Sequence, residues 1–222
     1  MRKYRANAAS PTRVDYGWEL SEGLLGFDET TAMSPLILTV TDDLFASFLA
    51  RLGKRKDQVT TRAKLRVAEY YAELDVRGLH AALKKADGMR VGPLTESIFE
   101  KGLLEPVVAP SGARQLKPLQ DILGKLKESK NAALADIKKE YVPKLEAVAD
   151  KLAAAIVGRD GAANGYADLF RKERALRDEH LITVDKIIGL VRAAFPNDRA
   201  RQDAVFPEFV DEDEPEEPEP KS

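Results

Sequence analysis

The chain has no cysteine, two histidines and few aromatic residues, which fill only 7% of its 222 positions. Without cysteine there is no disulfide, no zinc site with thiolate ligands and no thiol nucleophile. Such a composition fits a reducing compartment. With only His80 and His180 available, most pairings of a nucleophile with its base lack a part. Sparse aromatics, and β-branched residues that do not cluster, point away from a sheet. Long apolar runs are missing too. The longest uncharged stretch, "TTAMSPLILTVT" over residues 30–41, falls well short of the roughly 20 residues a membrane helix needs. The basic opening "MRKYRANAASPTRVDYGW" has no apolar run behind it, unlike a secretory signal. The expectation is a soluble, cytoplasmic protein that does not engage a membrane.

What is abundant is charge. Asp, Glu, Lys and Arg make up 32% of the chain and hydrophobic residues 44%, enough to build a core with charged helix faces around it. The formal net charge of -2 hides an asymmetry. Residues 208–222 hold eight acids and one base, which leaves 34 bases against 29 acids, about +5, in residues 1–207.

Apolar spacing predicts an all-α protein. Residues 1–41 lack sustained periodicity and read as an irregular segment anchored by Tyr16, Trp18 and Phe27, with "SPLILTV" extended. From Thr41 or Asp42, which suit a helix N-terminus, Phe45, Phe48, Leu49 and Leu52 follow at helical intervals. Val59, Ala63, Val67, Tyr70, Leu74 and Leu83 continue the pattern, and the spacing leaves open whether this is one helix or two. A connection rich in glycine and proline holds one short helix near residues 94–104. A stripe then runs from Leu116 through Leu126, Ile137, Tyr141 and Leu152 to Ile156, interrupted only by Lys130. Its period of about 3.6 favours a globular bundle over a supercoiled rod, and Pro143 predicts a kink within it. "GRDGAANG" reads as the turn to a partner helix over residues 163–194. The expected architecture is an antiparallel, four-helix-like bundle over residues 42–196, built on a helical hairpin spanning 115–195. A disordered acidic tail over 197–222 follows it.

Three constellations carry possible chemistry. Helical bundles house carboxylate-bridged metals through Glu-x-x-His, but Arg77 and Arg177 stand three residues before the two histidines, so neither metal nor cofactor is expected. With a turn near residue 160, His180 and Glu173 fall level with Glu140 and Tyr141 as a polar cluster at the core edge. Glu140 as a neighbour would raise the imidazole pKa. "GRDGAANG" itself lacks the strand and spacing of a phosphate loop and the carboxylates of a calcium loop. The basic run Arg51, Lys54, Arg55, Lys56, Arg62, Lys64 and Arg66 suits a solvated helix face or contact with phosphates, although no stacking aromatics accompany it. Phe206, Phe209 and Val210 before the acidic block suggest either a docking segment or rings capping the bundle. The reading is a non-enzymatic interaction or structural protein with a protein partner or self-association. The alternative is a nucleic-acid-associated protein that uses residues 51–66 and is screened by the tail.

Overall fold

The computed structural model describes residues 3–207, and among these helix is the only extended regular structure. The elements are α1 (Ser10–Leu25), α2 (Ser34–Ala86), α3 (Pro93–Ile98), α4 (Glu105–Val108), α5 (Ala113–Glu128), α6 (Ala135–Ala194) and α7 (Arg199–Val205), joined by short 3-10 turns. The expectation of an all-α fold holds. Contacts divide the chain into two units, one formed by residues 1–55 and 164–222, the other by residues 56–163. Helices α2 and α6, of 53 and 60 residues, run from one unit into the other.

In the first unit α1, the start of α2, the end of α6 and α7 enclose Tyr16, Leu20, Leu24, Ile37, Val184, Ile187, Val191 and Phe195. Helix α1 replaces the irregular N-terminal segment expected over residues 1–41. Pro11 suits the first helical turn, and Val14, Gly17, Leu20, Ser21 and Leu24 repeat at helical spacing on its buried side. That side is small and partly polar, so its hydrophobic signal is faint. "SPLILTV" is helical as well. The hydroxyls of Thr39 and Thr41 donate to the carbonyls of Pro35 and Ile37, one turn earlier, so two β-branched residues settle inside the helix. At the other end α7 brings Val205 and Phe206 into the same core. The ordered chain therefore extends past residue 197, where a disordered tail was expected to begin. The acidic block from Glu208 onward lies outside the described residues.

In the second unit the end of α2, α5 and the start of α6 pack around Leu79, Leu83, Leu119, Leu126, Leu145, Val148 and Leu152. Here the hairpin prediction needs correcting. The reversal lies between α5 and α6, at residues 129–134, and "GRDGAANG" is continuous helix within α6. Asn131 opens the new turn by accepting the Ala133 N–H at 3.0 Å, and Lys138 closes the end of α5 by donating to the Lys127 and Ser129 carbonyls. Lys130, the one defect in the apolar stripe, marks the true turn. Gly158, Gly161 and Gly165 are not among the glycines with positive φ; those are Gly88, Gly102 and Gly112, two of them just outside helix ends. Three helical glycines cost about 3 kcal/mol against alanine, a penalty spread along a helix whose flanks bury Leu152, Ile156 and Tyr166. Helix α3 has an outside cap. The Asp87 carboxylate accepts the N–H groups of Leu94 and Thr95 at 3.1 and 2.8 Å. A Cβ on Gly92 would lie 2.8 Å from the same carboxyl carbon, which excludes larger residues there.

Among the described residues one helical stretch, Thr31–Ala86 (α2 with the 3-10 turn before it), is long and apolar enough to cross a membrane by length and composition, with a window of mean hydropathy 1.3. It keeps Ile37 and Leu44 buried in the first unit while Asp42 and Asp43 are exposed.

Candidate functional site

The polar side chains of the first unit form a connected cluster, and its geometry decides what they can do. Glu173 on α6 is 1% exposed and accepts from the Ser10 hydroxyl, from Arg51 Nε and, at 2.8 Å, from Arg177 Nη2. Arg177 Nε also donates to Ser10 Oγ at 2.7 Å. The Arg51 guanidinium donates to the Tyr166 hydroxyl at 3.1 Å and lies within about 6 Å of the rings of Phe48, Tyr166 and Phe170. A carboxylate between two guanidiniums, with its oxygens occupied by donors, is a structural ion pair.

His180 is fully buried, one turn and three residues further along α6. Its Nδ1 lies 2.6 Å from the Tyr4 hydroxyl and its Nε2 lies 3.2 Å from Thr41 Oγ1. Thr41 already donates its proton to the Ile37 carbonyl, so its oxygen accepts from Nε2–H, and Nδ1 accepts from Tyr4 O–H. Both ring nitrogens are engaged in one neutral tautomer. Burial, helped by the charge of Arg13, pulls the imidazole pKa down to about 4. That is opposite to the rise expected from a Glu140 neighbour. Burial also pushes the Tyr4 and Tyr16 phenols above their usual value.

Two residues let this cluster close. Gly17 on α1 sits so near that a Cβ there would lie 2.1 Å from Thr41 Oγ1 and 2.7 Å from His180 Nε2. Arg13, itself buried, ties down the N-terminal segment by donating to the carbonyls of Ala6, Ala8 and Arg177 and stacking 4.8 Å from the Tyr4 ring. Burial lowers its pKa, with the Tyr4 ring opposing.

Of the four residues expected to share a polar cluster, the structure thus keeps Glu173 and His180 in the first unit and places Glu140 and Tyr141 in the second. Without a reversal at residue 160 nothing sets them level. Glu140 is exposed and pairs with Lys144 at 2.8 Å, and Tyr141 packs against Gly78. The basic run also divides. Arg51 is inside, on the buried series Ile37, Thr41, Leu44 and Ser47; that spacing was the one signal of its role. Lys54, Arg55, Lys56, Arg62, Lys64 and Arg66 are exposed along α2. Phe206 is buried in the first unit's core and unavailable as a docking ring, whereas Phe209 and Val210 lie outside the described residues. Tyr4, Ser10, Arg13, Tyr166 and Arg177 join the site without having been assigned to it, as does Thr41, which was expected at a helix N-terminus but lies inside α2. Only Arg177, one turn after Glu173, had a visible local partner.

The second unit presents the opposite arrangement. Val67, Tyr70, Tyr71 and Leu74 on α2 are 55%, 62%, 52% and 50% exposed. Beside them a groove of about 550 Å3 runs between α2 and α6, floored by Ala68, Val148, Ala155 and Gly158. His80 is not part of any ligand set: its Nε2 bonds the Gly102 carbonyl at 3.0 Å and its ring meets Phe99 edge-on. Among the described residues no group of three or more His, Asp or Glu side chains is placed to hold a metal ion. No protein-family model, curated protein or solved structure matches the chain.

Proposed function

We propose that this chain is a non-enzymatic interaction protein that works through the exposed face of α2. The observation that carries this reading is the row of large apolar side chains left in solvent in the second unit, Val67, Tyr70, Tyr71 and Leu74. Contiguous apolar surface of this kind marks contact sites in soluble proteins. The buried state of Glu173 and His180, with their polar atoms partnered, supports a structural role for the titratable groups instead of proton transfer. The lack of cysteine supports action in a reducing compartment such as the cytoplasm. A photo-crosslinking residue in place of Tyr70, introduced into cells, should give protein adducts. The same residue in place of Ile182, 68% exposed on α6, should give few. Equal labelling at both positions would overturn the reading.

A second reading rests on Lys56, Arg62, Lys64 and Arg66, all exposed on α2. They suit contact with nucleic-acid phosphates, which would show as binding that weakens steeply with salt and strengthens when residues 208–222 are removed. Binding to a labelled duplex that is absent at 50 mM salt, for both chain lengths, removes it.

A further inference from the structure

On the outer side of α2 in the second unit Val59 is followed by a seam of Ala63, Val67, Tyr70 and Leu74, spaced four, three and four. They lie opposite the buried Leu65, Ala72, Val76 and Leu79 of the same helix. A seam at that spacing is what one helix offers to another in a two-stranded pairing. The charges beside it say which helix. One position before each seam residue stand Arg62, Arg66, Glu69 and Glu73; one position after stand Lys64, Ala68, Tyr71 and Asp75. On both flanks the bases come first and the acids last.

We propose that this face pairs with the same face of a second copy of the chain, the two α2 helices running antiparallel with Ala63 opposite Leu74 and Val67 opposite Tyr70. This rests on the reading of α2 as a contact surface and names its partner. In an antiparallel pair related by a two-fold axis, each flank meets its own counterpart. Arg62 then meets Glu73 of the other copy, Arg66 meets Glu69, and Lys64 meets Asp75, each twice. Ala68 leaves room for the other copy's Tyr71 ring. In a parallel, in-register pair one flank meets the other, so Arg62 faces Lys64 and Glu73 faces Asp75, all repulsive. The sequence of charges therefore selects one orientation. Glu69 and Glu73 already have partners within the chain, the Gly112 N–H and Arg77, and a carboxylate accepts more than one donor. The seam is short, so the pairing belongs with small interfaces that exchange readily.

Because the chain has no cysteine of its own, introduced cysteines report orientation. Full-length Ala63→Cys and Leu74→Cys proteins, mixed at about 50 µM and oxidised mildly, should form a mixed disulfide dimer in preference to either self-dimer. Arg62→Glu should raise the dimer dissociation constant about tenfold. Adding Glu73→Arg to the same chain should restore it, which separates a pairing effect from a folding one. An Ala63→Cys self-dimer, or no cross-link together with a monomer by sedimentation, overturns the proposal. In the latter case adducts between Tyr70 and other proteins would leave the contact-surface reading standing without a second copy.

Discussion

The first unit buries a cluster of charged side chains, and the second buries almost no polar side chain and carries a row of exposed apolar residues along α2. Within the first, Arg13, Arg51, Glu173 and His180 are each at most 2% exposed, whereas the buried polar residues of the second are only Thr95 and Gln115. The second unit closes on leucine and valine with apolar side chains to spare, and Val67, Tyr70 and Leu74 form a row of them on the outer face of α2. Burying charge adds little net stability but makes each member indispensable once buried. Exposing apolar surface adds nothing to folding, which is why the proposed contact role rests on this face.

The contrast can be broken most severely at Glu173. Replacing it with alanine leaves two guanidiniums facing each other inside the first unit, an expected loss of about 3 to 5 kcal/mol in denaturant unfolding. A loss below about 1 kcal/mol would mean the cluster is wet. In the second unit Leu79→Ala should cost a comparable 2 to 5 kcal/mol, but through a cavity and with no dependence on salt or pH. His180 sharpens the difference by pH. Its folded pKa of about 4 lies below the ordinary 6.5, so the unfolded chain takes up the proton first. Stability should be unaffected by this group above about pH 6.5. It should fall by about 3 kcal/mol as the pH drops towards 4. His180→Gln should flatten that slope in a pH series of melting curves.

Gly17→Ala comes next, at about 1 to 3 kcal/mol, because its methyl group would press on Thr41 and His180. The smallest effect on folding is expected at Tyr70. Being 62% exposed, it should change stability by no more than about 0.5 kcal/mol when replaced by aspartate.

Helical character and the core positions of α5 and α6 were legible because leucines recur at 3.6 residues. The turns were not. A glycine at positive φ, such as Gly112, and a glycine inside a helix, such as Gly161, are the same letter, and the difference is set by packing around them. The polar cluster was legible in two of its four residues on α6, Glu173 and His180, which sit on the apolar stripe. The members on α1, α2 and the segment before α1 reach it through contacts more than 100 residues apart in sequence, which only the tertiary fold creates. The outer seam of α2 was visible as a periodicity over Val59 to Leu74 but pointed to the core. With apolar residues on two sides of one helix, spacing alone does not say which side is buried.

The most direct test is sedimentation equilibrium on the full-length protein and Tyr70→Asp at matched concentrations, with a melting curve for each. A dimer is expected for the wild type and a monomer for the variant, with melting temperatures that agree once both are diluted to monomer. Two monomers, or a variant whose fold melts along with its association, would contradict it.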